Sequence, residues 1–141
     1  MKRKATARWT GGLKDGRGHI TTASGVLGDA PYSFSTRFED KPGTNPEELV
    51  AAAHAACFSM ALSFQLEQMG LKPDSIVTEA AVTLEKLETG FEVTQSHLDV
   101  TARVPGADMK KFEEAANAAK AGCPISKLLN AKVTMEAKLE G

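Results

Sequence analysis

The chain holds two cysteines, far apart in sequence: Cys57 inside PEELVAAAHAACFSMALSFQLEQMG and Cys123 inside GCPIS. Their separation excludes a zinc knuckle and a CxxC motif. One cysteine on an apolar helix and another at a turn suggest a thiol that is oxidised and a partner that resolves it. The alternative is a pair of inert core thiols. Cys57 falls about eleven residues into its helix, roughly 16 Å from the N-terminal end, beyond reach of the helix dipole. Apolar surroundings raise a thiol pKa, so a reactive Cys57 needs a cation delivered from elsewhere in the fold. Cys123 follows a helix-ending glycine and precedes Pro124, which makes it an N-cap. Exposed amides there favour a thiolate, and a hinge between two helices lets it move. These features suit a resolving thiol and an idle turn cysteine equally.

Two arginines are candidate cations. Arg17 lies at an Asp-Gly turn and reads as a solvated residue. Arg37 stands between Phe34 and Phe38 in a β-prone run, where pointing inward would leave a guanidinium in need of a carboxylate or thiolate; Glu47 and Cys57 are available. Glu48 is the capping-box residue of the helix that starts after Asn45, which leaves Glu47 without structural duty. Glu47 precedes Cys57 by ten residues, about 15 Å of helical rise, so it meets such a thiol only from a neighbouring subunit. His54 shares a helix face with Cys57. The two fit a nucleophile and base or half a metal site, against the structural reading of a hydrogen-bonded interface histidine. His19 and His97 fall in strands without evident partners.

What must position these residues is legible from periodicity. The 141 residues suit one domain, 1–141. A formal net charge of −1 gives no electrostatic reason to expect nucleic acid or an anionic membrane as partner. The basic N-terminus is followed by no apolar stretch, which argues against a secretory signal. Two cysteines without an export signal point to a reducing, cytoplasmic setting where a disulfide is transient. Alternation over Lys4–Thr10, a turn at Asp15-Gly16, a return from His19 and a β-prone segment from Tyr32 to Phe38 predict a small antiparallel meander. Asn45, Pro46 and Gly70 mark a helix of about 24 residues. That helix is apolar nearly all round. We expect it not to span a membrane, because the run is short, alanine-rich and broken by His54 and serines. Being apolar on every face, it needs wrapping that a second copy of the chain would supply. Strands follow over Ile76–Leu84 and Phe91–Val104, with a phase slip that predicts a bulge near Gln95–His97. A helix stripe from Met109 stops at Gly122, a short helix covers Ile125–Leu129, and a final strand alternates over Ala131–Glu140.

The strings GTNPEELVAAAHAACFSMAL and AKAGCPIS, with their spacing, resemble the osmotically inducible protein C (OsmC) family, whose relatives include the organic hydroperoxide resistance proteins. The similarity runs from Ala7-Arg8-Trp9 through the last strand. It implies an α+β fold with antiparallel sheets wrapped around a long apolar central helix, in an intertwined homodimer with active sites at the subunit interface. It also implies a thiol peroxidase for organic hydroperoxides, and more weakly hydrogen peroxide, acting under oxidative or osmotic stress. In that resemblance Cys57 is the peroxidatic cysteine, Cys123 the resolving one, Glu47 the acid and Arg37 the arginine of the osmotically inducible branch. The other branch draws its arginine from the first turn, where Gly11–Arg17 match imperfectly and leave Arg17 the weaker candidate. An external dithiol would be the reductant, with no metal, haem or flavin. Against this stand a Cys57–His54 hydrolase and a non-enzymatic dimeric module that binds apolar ligands.

Overall fold

Trp9 and Tyr32 flank Gly18 in the first sheet, and that crowding explains the glycine. A Cβ at Gly18 would lie 2.6 Å from Tyr32 Cζ and 2.7 Å from Trp9 Cε3. Strand β1 (Ala5–Thr10) pairs antiparallel with β2 (Arg17–Thr22), which pairs antiparallel with β3 (Ala30–Tyr32). The computed structural model describes all residues Met1–Gly141 and divides them into two compact units, Met1–Leu49 and Val50–Gly141.

In the first unit the expected strand from Tyr32 to Phe38 ends at Tyr32, and a short helix α1 (Phe34–Phe38) follows. The cause is a capping box. Ser33 Oγ accepts from the Thr36 amide at 3.3 Å, while the Ser33 amide donates to Thr36 Oγ1 at 2.8 Å. This local pairing overrides the β propensity of Tyr and Phe. Arg37 therefore stands in the last turn of a helix, not on a strand.

Helix α2 (Pro46–Gln68) begins where its signals place it. Asn45 Oδ1 accepts the Glu48 amide at 2.8 Å. The Glu48 carboxylate, expected to complete a capping box, instead accepts from Thr44 Oγ1 at 2.8 Å. The helix closes in a Schellman motif: Gly70 has φ +75°, its amide bonds to Glu67 C=O, and the Leu71 amide to Leu66 C=O.

One stripe of α2, made of His54, Phe58, Leu62 and Leu66, is fully buried. Met60 and Phe64 stand 77% and 56% exposed. Burial on every face is thus not achieved within one chain. By length and composition α2 is long and apolar enough to cross a membrane, so the shortness argued from sequence fails. Its buried stripe, however, belongs to a protein core and carries a hydrogen-bonded histidine.

The second unit's sheet has the order β4 (Ser75–Leu87), β5 (Gly90–Arg103), β6 (Lys132–Glu140). Strands β4 and β5 are antiparallel, but β6 runs parallel to β5, a departure from the purely antiparallel expectation. The reason is the crossover between them through α3 (Met109–Gly122) and α4 (Pro124–Leu128), which returns the chain to the end from which β5 started. The register shift falls at Thr83/Leu84, with Thr83 opposite Gln95 and Leu84 opposite Val93. Thr94 is the extra residue, just before the expected bulge. Leu98, Val100 and Ala102 of β5 pack with Phe112, Ala115, Ala116 and Ala119 of α3 and the α2 stripe. Each buried Phe or Leu contributes about 1.5–3 kcal/mol, and this core fixes α2, β5 and the α3–α4 hinge as one body.

Candidate functional site

Cys123 joins two helices. Its amide donates to Ala119 C=O at 2.9 Å to close α3, and its carbonyl accepts from the Lys127 amide at 3.1 Å in α4. The side chain is fully buried and forms no formal cap hydrogen bond. Cys57 packs against the buried cluster that holds it, and Cys57 and the Ser126 hydroxyl both act on the Cys123 thiol. Cys57 is half-buried on α2, and neither cysteine is in a disulfide.

The two sulfurs differ electrostatically. Burial pushes the Cys57 thiol up, the hydrogen bond with Cys123 pushes it further, and the Ile125 amide offsets only part. None of the groups acting on Cys57 is a cation. Burial also works against a Cys123 thiolate. There it is outweighed by the hydrogen bond from Cys57, the amides of Ser126 and Ile125 and the Ser126 hydroxyl, so the Cys123 pKa lies below its ordinary value. Both directions follow the sequence argument. Beside Cys57 opens an apolar groove of about 430 Å³, lined by Met60, Phe64, Ala119 and Pro124 among others.

His54 is wholly buried. Its Nδ1 lies 2.7 Å from Ser96 Oγ on β5, and its Nε2 lies 2.8 Å from Ser126 Oγ on α4. Burial lowers its pKa below 6.5. With both ring nitrogens engaged by serines, His54 has none left to serve Cys57 as a direct base. The hydrolase reading loses its second member. The structural reading holds in modified form, since the histidine is bonded within its own unit.

Ser96 and Ser126 were not among the residues expected to matter, though both carry a signal in the sequence. Ser96 continues the inward phase of Leu98, Val100 and Ala102, and Ser126 stands three residues after an N-cap, on the side of the cap residue. His97 Nδ1 pairs with Thr134 Oγ1 at 2.6 Å across β5 and β6.

In the first unit Arg37 and Glu47 form a forked ion pair. Arg37 Nε donates to Glu47 Oε1 and Oε2 at 3.0 and 3.3 Å, and Nη2 donates to Oε1 at 2.7 Å. The Arg37 side chain is 37% exposed and Glu47 13%. The guanidinium was expected to point inward; it lies at the surface of its helix, over the Phe38 ring at 5.1 Å. A pocket of about 280 Å³ beside it is lined by Trp9, Leu13, Tyr32, Phe34 and Phe38. Arg17 is exposed on β2. No group of three or more His, Cys, Asp or Glu side chains is placed to hold a metal ion. The candidate residues thus assemble as two pairs: two thiols in one unit, an arginine and its carboxylate in the other.

Comparison with known proteins gives this arrangement its context. Residues 38–138 match the family model described as OsmC-like protein. The chain is 49% identical over 140 residues to Peroxiredoxin OsmC of Escherichia coli (strain K12), covering 99% of this chain and 98% of that one. It is 35% identical over 125 residues to the organic hydroperoxide resistance protein OhrB of Bacillus subtilis (strain 168), covering 87% and 89%. The crystal structure of Bacillus subtilis OhrB matches with a TM-score of 0.72 at 34% identity, over 99% of this chain and 98% of that one. An OsmC-like protein of unknown function from Vibrio cholerae shares the fold, with a TM-score of 0.78 at 17% identity, over 97% and 99%. On this evidence the chain belongs to the OsmC-like protein family.

Proposed function

We propose that this protein is a cysteine-based peroxidase that reduces organic hydroperoxides as a homodimer in the reducing cytoplasm. The Cys57 thiolate attacks the O–O bond, the alcohol leaves, and Cys57 becomes a sulfenic acid. Cys123 then attacks that sulfur, hydroxide departs as water, and a disulfide forms. An external dithiol restores both thiols. The observation that carries this reading is the nearness of the two thiols: Cys57 packs against the buried cluster that holds Cys123, and each acts on the other's pKa.

Cys57 alone is a poor nucleophile, because everything that outweighs in its surroundings favours the protonated form. Arg37 supplies the missing charge, stabilising the thiolate and the developing oxyanion of the peroxide. Glu47 holds the guanidinium by its fork, which fixes direction as well as charge. Because Glu47 stands ten residues before Cys57 on α2, the Arg37–Glu47 pair serves the thiols of a second copy. The exposed Met60 and Phe64 face of α2 supports that assembly. The apolar groove favours organic hydroperoxides over hydrogen peroxide.

Titration of free thiols after one equivalent of cumene hydroperoxide tests the reading. Rapid loss of both thiols, abolished in Cys57→Ser, is the expected result. Survival of both thiols would defeat it.

A further inference from the structure

The thiol cycle leaves one buried titratable group unused. His54 and Cys123 are both fully buried, and Ser126, three residues after Cys123, bonds the histidine. Ser126 Oγ lies 2.8 Å from His54 Nε2, and Ser126 stands one helical turn after Cys123 at the start of α4, where its hydroxyl acts on the Cys123 thiol. On the far side of the ring, Nδ1 lies 2.7 Å from Ser96 Oγ. Three elements therefore contribute to one line: Ser96 from β5, His54 from α2, and Ser126 with Cys123 from α4 and its cap. Its other end is Cys57, packed against the buried cluster that holds Cys123.

We propose that Ser126 and His54 form a proton relay for the resolving step, which takes the Cys123 proton as that sulfur attacks Cys57. With Nδ1–H donating to Ser96, Nε2 is free to accept from the Ser126 hydroxyl. As the Cys123 S–H proton passes to Ser126 Oγ, the serine proton passes to Nε2. The hydroxyl then donates to the Cys123 thiolate, and Nε2–H donates to the hydroxyl. The Cys123 sulfur attacks Cys57, the S–S bond forms, and the S–O bond of the sulfenic acid breaks. The departing hydroxide takes one proton and leaves as water, and His54 returns to neutral. One thiol and one sulfenic acid thus give one disulfide and one water, with no outside oxidant beyond the hydroperoxide that made the sulfenic acid.

The ring is neutral at rest, since its partners are two uncharged hydroxyls and burial disfavours the imidazolium, so Nε2 can accept a proton and holds it only briefly before giving it back. The only other titratable groups in this network are Cys57 and Cys123. Ser126 acts on the reacting thiol; His54 acts through Ser126 and is a positioning residue.

This inference rests on the thiol-cycle reading, and the two are separable by measuring each half-reaction. Rapid mixing with cumene hydroperoxide, with dimedone as trap, gives the ratio of Cys57–Cys123 disulfide to trapped Cys57 sulfenic acid. Ser126→Ala should lower that ratio at least about 10-fold, the low end for lost proton-transfer assistance. Ser126→Thr, which keeps the hydroxyl, should restore most of it. His54→Gln should lower the ratio and flatten its dependence on pH. A ratio in Ser126→Ala equal to that of the unaltered protein, or Ser126→Thr as impaired as Ser126→Ala, would overturn the relay alone. Formation of neither Cys57 sulfenic acid nor the Cys57–Cys123 disulfide in the unaltered protein would overturn the thiol cycle and the relay with it.

Discussion

The two units of this chain hold side chains of opposite character. The first carries a fixed positive charge, Arg37 forked onto Glu47, beside an aromatic pocket and without a nucleophile. The second carries two adjacent sulfurs and an apolar groove, with no cation among the groups that set the Cys57 pKa. Each half is stable for opposite reasons. The ion pair keeps partial access to water and pays little desolvation. The thiols survive burial because Cys57 stays protonated and Cys123 is served by amides and a hydroxyl. A thiolate at Cys57 is costly in its own unit, and a guanidinium is easy to keep in the other. In the proposed reaction the sulfur becomes nucleophilic only when a guanidinium is brought to it.

The strongest way to break this contrast is to remove the charge. Arg37→Met should lower kcat/KM for cumene hydroperoxide by about 10²–10³-fold, as loss of an oxyanion-stabilising group does. Arg37→Lys should recover only part, because an ammonium cannot reproduce the fork. Steady-state peroxide consumption measures both. If the exposed α2 face joins two copies as proposed, Phe64→Glu should shift the protein toward monomer and lower activity in proportion. Sedimentation velocity alongside the assay checks that the two losses track each other.

Within the thiol unit, Cys57→Ala removes the leading hydrogen bond that favours the Cys123 thiolate. The Cys123 pKa should therefore rise, read from ultraviolet thiolate absorbance against pH. The smallest effect concerns His54, whose folded pKa lies below 6.5. Between those two values the unfolded chain binds more protons than the folded one, so stability falls as pH drops below about 6.5. Urea midpoints across that window should show the slope, and His54→Gln should flatten it.

Much of this was legible in residue order. Asn45-Pro46 and Gly70 bound α2, and the slip between Phe91 and Leu98 announced a bulge, because caps and side-chain phase are local properties. The opposed electrostatics of Cys57 and Cys123 followed from mid-helix burial and a helix start. Three features were not legible. Helix α1 was hidden because Phe34 and Phe38 read as β-prone, while a Ser33–Thr36 capping box decided the backbone. The direction of β6 was hidden because alternation carries no strand polarity. The serines around His54 were hidden because their meeting depends on three elements distant in sequence. Arg37 was recognised as needing an acid, yet its place at the surface of a helix depended on the misread segment.

The central claim is that Cys57 of one copy is activated by Arg37 and Glu47 of another, and subunit complementation tests it directly. Cys57→Ser and Arg37→Met chains, each inactive alone, are co-expressed with different tags and the mixed dimer is purified. Such a dimer should hold one intact site of two and regain about half of the unaltered dimer's activity. A purified mixed dimer no more active than its parents would contradict the account.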